Sequence, residues 1–299
     1  MGLCLALPAF LAAQHTPLTS QYLFNGLLIN PAYAGSRDAL TANMTWRNQW
    51  VGFEGAPRTQ VISVHSPLKR RKVSLGLLLL NDAIGVSTQT GIYTNYAYRL
   101  RFKKAKLQLG FGAGISMLRG DWSSVRLDES GDATYASDSR GVLRPNFSAG
   151  GFYWTKKYFV GVSMPFFLSH SYDASADKWT VSARTSQFQP MIFAGMVRAL
   201  NKELKLKPTV LVRYQNASGP QLDLNVNLVL KERIWAGVSW RSSDAVVISV
   251  EVLPTPQWRI GYAYDLGISK LRPYHSGSHE IMLQYEFGYR IRVRDPRYF

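Results

Sequence analysis

The sequence predicts an all-β protein, an antiparallel outer-membrane barrel of about fourteen strands behind a short N-terminal segment without strands. Three observations predict it. The first is alternation: residues 280–293 read EIMLQYEFGYRIRV, in which Ile281, Leu283, Tyr285, Phe287, Tyr289, Ile291 and Val293 are apolar. Gln284, Glu286, Gly288, Arg290 and Arg292 fall between them, so a strand here has one greasy and one wet face. The second is length, since such runs recur at roughly 9–11 residues, the span of a tilted strand crossing a bilayer. The third is the connections, every second one short and mostly basic, the others longer and richer in Gly, Ser and Asp. One rim of tight turns and one of long loops describes such a barrel.

In chain order, Met1–Ala13 (MGLCLALPAFLAA) resembles the apolar core of a signal peptide, with Ala13/Gln14 as the cleavage point. It lacks a basic start, which suggests a translation start further upstream. Residues 14–39 carry no period. Turn residues Asn25, Gly26, Asn30, Pro31 and Gly35 stand among Tyr22, Phe24, Leu27, Leu28, Ile29 and Tyr33. So much apolar surface should pack on the periplasmic mouth, the lumen or a partner. The barrel is expected over 40–299, with strands at 40–50, 58–67, 73–80, 89–101, 106–118, 144–154, 158–168, 187–199, 206–215, 221–230, 233–241, 245–252, 257–266 and 279–293. In 106–118, Leu107, Leu109, Phe111, Ala113, Ile115 and Met117 alternate with small or polar residues, and 221–230 is as regular. Leu77–Leu80 and Pro165–Leu168 break the pattern in their strands. The basic turns are Lys69, Arg70, Arg71 and Lys72; Lys103 and Lys104; Lys156 and Lys157; then NKELK at 201–205 and KER at 231–233. If the first strand starts at the periplasm, all of them face it.

Charged residues are 18% and aromatics 13%, with 16 Tyr and 8 Trp, a balance that suits interfacial aromatic belts. Cys4 is the only cysteine, so a form lacking the N-terminus has no disulfide. The net charge of +16 raises the question of nucleic acid, but the charge sits in short turns rather than on a groove-fitting helix or tail. A soluble β-sandwich gives the same alternation, but the apolar set is too large and spread over too many strands for one soluble core.

The run QYLFNGLLINPAYAGSRDAL, then WRNQWVGFEGAPRTQVISVHSPL, resembles the opening of the PorP/SprF family of Bacteroidetes outer-membrane proteins. NDAIG, TGIYTNYAYRLRF, SGSHEIML and the closing PRYF are similar to later parts of its pattern. The resemblance implies a barrel associated with type IX secretion, without enzymatic activity. Its expected partners are outer-membrane lipids, large secreted adhesin-like cargo, gliding adhesins among them, and periplasmic or outer-membrane lipoproteins. The partner-binding candidates within the signature are Gln21, Tyr22, Phe24, Asn25, Asn30, Pro31, Tyr33, Gly35, Arg47, Gln49, Trp50 and Glu54. Pro31 should fix a turn and hold Asn30 extended. Trp46 and Trp50 read as belt aromatics or partner contacts, and Arg47 with Glu54 as a rim ion pair or part of a cargo site.

Other chemistry is weakly represented. His275 and His279 flank Gly277 in a loop, so their spacing does not align two rings for a metal. His65 near Ser63 and Ser66 is no triad without geometry. GFGAG at 110–114 sits inside a strand, where its glycines keep the inner face small or let the sheet bend. No cofactor, metal, catalytic residue or nucleic acid is expected. Asp223, Asn225, Asn227, Arg259, Asp265, Gln284, Glu286, Arg290, Arg99 and Arg101 should face the lumen, as a self-neutralising network or a selective aqueous path. The alternative to a secretion barrel is a porin or transporter for a small hydrophobic or anionic solute.

Overall fold

The computed structural model describes residues 19–68, 72–124, 141–173, 178–183, 188–215 and 219–288. Seven strands follow one another as antiparallel neighbours: β1 (Leu40–Asn48), β2 (Arg58–Pro67), β3 (Val73–Ile84), β4 (Ser87–Arg101), β5 (Ala105–Gly120), β6 (Val142–Thr155) and β7 (Tyr158–Met164). β8 (Ser169–Asp173) and β9 (Lys178–Ser182) pair only with each other. The wall resumes with β10 (Met191–Met196), β11 (Arg198–Ala199), β12 (Leu204–Gln215) and β13 (Gly219–Leu230). It ends with β14 (Ile234–Arg241), β15 (Ala245–Val252), β16 (Trp258–Gly267) and β17 (Ser278–Phe287). β10 bridges β7 and β12, and β1 pairs with β17, Leu40 opposite Phe287 and Asn48 opposite His279. The sheet is therefore a closed ring of fourteen strands, with the two-residue β11 an addition on β12.

Polarity runs opposite to that of a soluble protein. On β13, Leu224, Val226, Leu228 and Leu230 are 41–46% exposed, while Asp223, Asn225 and Asn227 are at most 5% exposed. The same inversion places Ile92, Tyr96 and Tyr98 of β4 outside, and Asn95 and Arg99 inside. A sandwich would bury the leucines and solvate the asparagines. An apolar outer wall with every neighbouring strand paired is stable against hydrocarbon, where unpaired backbone costs several kcal/mol per group.

The strands match the periodicity with two informative differences. β3 extends to Ile84, although Leu77–Leu80 interrupt its pattern, because Leu78 and Leu80 pack against interior apolar residues. The seventh strand, expected over 158–168, leaves the ladder after Met164, where Pro165 offers no backbone donor. β17 is described as far as Phe287; Arg290 and the closing residues lie outside the described residues, as do the signal segment and Lys69, Arg70 and Arg71.

Candidate functional site: the filled lumen and its two rims

Residues 19–38 lie inside the ring, almost all buried. Short 3-10 turns at Gly26–Leu28 and Pro31–Tyr33 give this segment its shape. Asn30 is extended (φ −149°), and its side chain accepts from the Ala32 N–H at 2.8 Å. Pro31 occupies the first turn position, where its missing donor costs nothing. The amide of Asn30 then donates to Gly151 O and Val162 O, at 3.0 and 3.2 Å, fixing the turn to β6 and β7. Opposite it, β5 presents Gly110, where an added Cβ would strike the Ala32 backbone. Gly110, the first of the GFGAG glycines, therefore makes room for this segment, while Gly112 and Gly114 face Ser148, Asn95 and Tyr93 of the wall.

The segment is fastened by charge at both ends. Toward the long-loop rim, Glu280 accepts from Ser20 N–H at 2.6 Å and Gln21 N–H at 2.8 Å. Ser20 Oγ donates to Asp265 at 2.7 Å and accepts from Arg47 at 2.9 Å. Arg47 bridges Asp265 at 2.7 Å and Glu280 at 3.2 Å, while Arg241 pairs with Asp223 at 3.0 Å. Tyr22 OH donates to Asp223 at 3.4 Å. Toward the short-turn rim, Arg37 pairs with Glu286 at 2.6 Å, and Asp38 with Arg99 and Lys106. Burial pushes the Asp38 carboxyl up, but Arg99 and Lys106 outweigh it and hold it below its ordinary value. Between the two ends, Phe24 packs edge-on to Trp235 at 5.4 Å, and the cations of Lys207 and Arg259 lie over its ring at 5.5 and 4.8 Å. Asn25 accepts from Ser63 Oγ at 2.7 Å, and Tyr33 lies against His65 and Phe152. Gly35 has φ +67°, which favours glycine, and its N–H donates to His65 Nδ1 at 3.0 Å. Gln21 donates weakly to Glu280 O at 3.4 Å.

The signature residues therefore divide. Gln21, Tyr22, Phe24, Asn25, Asn30, Pro31, Tyr33, Gly35 and Arg47 come together in the lumen. Arg47 corrects the expectation of a rim pair with Glu54: it is 3% exposed, faces inward and binds Asp265 and Glu280, while Glu54 is exposed. Gln49, Trp50 and Glu54 lie in the β1–β2 loop on the long-loop rim. There Val51 N–H donates to Gly277 O, and Ser276 N–H to Val51 O, both at 2.8 Å, so this loop is joined to the one before β17. Trp50 takes φ +48° and packs between Phe53 and His275. Trp46 is 47% exposed on the outer face near that rim, as a belt residue would be.

The expected lumen residues Asp223, Asn225, Asn227, Arg259, Asp265, Gln284, Glu286 and Arg99 are buried inside, whereas Arg101, on the same face, is exposed at the rim. The sequence reading missed Arg241, Glu251 and Glu280 as their partners. Parity alone could have found Glu280, which shares the face of Gln284 and Glu286. The histidines serve local structure: His275 accepts from Gly277 N–H, and His279 contacts Tyr262 OH.

The basic turns among the described residues lie on the rim where β1 starts and β17 ends, although equally short connections at 85–86 and 242–244 join strands on the other rim. Lys72, Lys103, Lys104, Lys156 and Lys157 are exposed there, on three consecutive turns whose sequences hold no acid. On the other half of the rim, Arg198, Lys202 and Arg233 are exposed as well, but Lys205 pairs with Glu232, Lys231 lies 3.7 Å from Glu203, and 253–256 is uncharged.

A family model described as "Type IX secretion system membrane protein PorP/SprF" matches residues 11–285. The chain belongs to the PorP/SprF family. With the closed ring, that makes it an outer-membrane barrel of type IX secretion. No curated protein matches it. Among solved structures, it is similar to the Ralstonia pickettii toluene transporter TbuX (TM-score 0.52, 10% identity, 89% of this chain and 93% of that one). It is also similar to the CymD monoaromatic hydrocarbon channel (TM-score 0.50, 13% identity, 91% and 94%). At such identities these likenesses speak for the fold of this PorP/SprF protein alone.

Proposed function

We propose that this PorP/SprF barrel is a closed, non-enzymatic component that assists export of large adhesin-like cargo or holds it at the surface. On this reading, periplasmic lipoproteins of the machinery dock on the basic short-turn rim. The long-loop rim, with the Trp50 and Glu54 loop, meets cargo. The observation that carries the reading is the lumen: its own N-terminal segment fills it, held at one end by hydrogen bonds to Glu280 and Asp265 and at the other by the Arg37–Glu286 and Asp38–Arg99 ion pairs. A porin needs a continuous wet path; an anchor does not. The one-sided basic rim supports docking of an acidic partner, since complementary charge speeds and orients association.

The test is a mild-detergent pull-down of the tagged barrel from its native outer membrane, with mass spectrometry of the co-purifying proteins. Stoichiometric recovery of a giant surface protein or a periplasmic lipoprotein is expected. A partner-free barrel that passes a small hydrophobic or anionic solute in liposomes would overturn the reading in favour of a transporter.

A further inference from the structure

The wall is weakest between β6 and β12. The β6–β7 ladder runs only from Ala149–Met164 to Trp154–Phe159, and β10 pairs with β12 only from Met191–Arg213 to Gly195–Thr209. Toward the long-loop rim, residues 142–148 of β6 are paired on their β5 side alone. Their other edge is closed by a strap, Pro165–Leu168, which is not a strand. Phe167 N–H donates to Phe147 O at 3.1 Å. The rest of the closure runs mainly through one side chain: Asn146 Oδ1 accepts from Phe167 N–H at 2.9 Å and Leu168 N–H at 3.0 Å, and its amide donates to Leu168 O at 2.8 Å; His170 Nε2 adds a contact to Pro145 O at 3.0 Å. Asn146 thus imitates a ladder partner where β6 has none.

Behind the strap lies a pocket with a volume of about 30 Å³, lined mainly by Leu28, Leu78, Leu80, Tyr93, Pro165 and Phe166. Phe166 packs edge-on to Tyr93 at 5.8 Å and fills most of the space between the strap and the inner wall. On β5, Gly114 leaves room for the Tyr93 ring to lie against the wall, where an added Cβ would strike it. Outside the strap, the flanking residues face hydrocarbon: Leu143 and Phe147 on β6 are 60% and 44% exposed, and Val212 and Tyr214 on β12 are 37% and 44% exposed.

We propose that this is a membrane-accessible binding site for a single alkyl chain of a lipid, which enters between β6 and β12 and takes the place of the Phe166 ring. The position decides the occupant. The described residues that flank the strap outside are apolar and exposed, Phe188 packs on Phe167 beside it at 5.7 Å, and the pocket lining is apolar apart from Asn30, Asn95 and Ser148. Release of the strap needs the loss of the Asn146 hydrogen bonds and leaves the ring closed through β10. The proposal is independent of cargo anchoring.

The test uses the full barrel in liposomes containing a phospholipid with a photoreactive diazirine near the end of one acyl chain, and maps adducts by mass spectrometry. Adducts on the outward Leu143 and Phe147 mark contact with bulk lipid. Adducts on the inward Leu28, Leu80 or Tyr93 are the expected result. Asn146→Leu should raise inward labelling about tenfold, as the loss of one or two net hydrogen bonds predicts, and Phe166→Ala should raise it without disturbing the clip. Asn146→Cys with Leu168→Cys, once oxidised, should abolish it; Cys4 is the only native cysteine. Retained heat-modifiability on gels shows that each variant is folded. Labelling confined to outward residues in the folded parent and in the folded Phe166→Ala variant would overturn the proposal.

Discussion

At the scale of single residues, the interior depends on charges that neutralise one another out of water. Arg47 is the clearest case: Asp265, Glu280 and Ser20 all converge on it. Removing one partner from a buried pair strands the others and costs about 3–5 kcal/mol. Arg47→Met should therefore lower the unfolding temperature of the barrel in detergent markedly, and adding Glu280→Gln should recover part of the loss. If Arg47→Met melts like the parent, the network is not structural. Asp38 has the opposite exposure to pH. Its folded pKa lies below the ordinary 3.8, so its contribution is complete above about pH 4 and is lost as pH falls through the folded value. Proteolysis of the N-terminal segment near the short-turn rim should increase on acidification below pH 4, and Asp38→Asn should show that sensitivity already at neutral pH.

At the scale of elements, the N-terminal segment and β5 are built for each other. The Gly110 inner face meets peptide backbone rather than a flexible side chain, so Gly110→Val cannot be relieved by a rotamer change. It should cost about 1–3 kcal/mol, read as a lower melting temperature. Deleting residues 14–37 should turn a silent barrel into one that conducts in planar bilayers. A deletion variant that folds and stays silent would mean that the lumen closes by other means. The strands were legible because a period of two survives whatever lies on either side of the wall. The segment that fills the lumen was not, because it has no period: its turn residues and aromatics fit the mouth, the lumen or a partner equally well. Arg47 was misread for a related reason. It sits one residue from the end of β1, where a side chain can turn to the rim or inward, and only the register opposite Glu280 decides.

At the scale of the whole molecule, charge is uneven. Lys72, Lys103, Lys104, Lys156 and Lys157 occupy one half of the short-turn rim without an acid in their turns, while the opposite half mixes Arg198, Lys202 and Arg233 with the Lys205–Glu232 and Lys231–Glu203 pairs. Headgroups surround a barrel evenly and give no reason for such an arc; a partner seated off-centre does. Replacing Lys103, Lys104, Lys156 and Lys157 with Glu should abolish recovery of a periplasmic partner and leave barrel stability unchanged, and parent complexes should weaken steeply between low and physiological salt. Recovery indifferent to both would place the docking surface elsewhere. The closure of the ring has a consequence for biogenesis. The seam joins β1 to β17, the last strand of the described ring, and the residues that grip Ser20, Gln21 and Arg37 lie on β16 and β17. Laying the N-terminal segment inside the growing sheet before the final hairpin zips shut avoids threading it through a mouth of the finished ring. A barrel-insertion machine that follows this order has to hold residues 19–38 until β17 arrives.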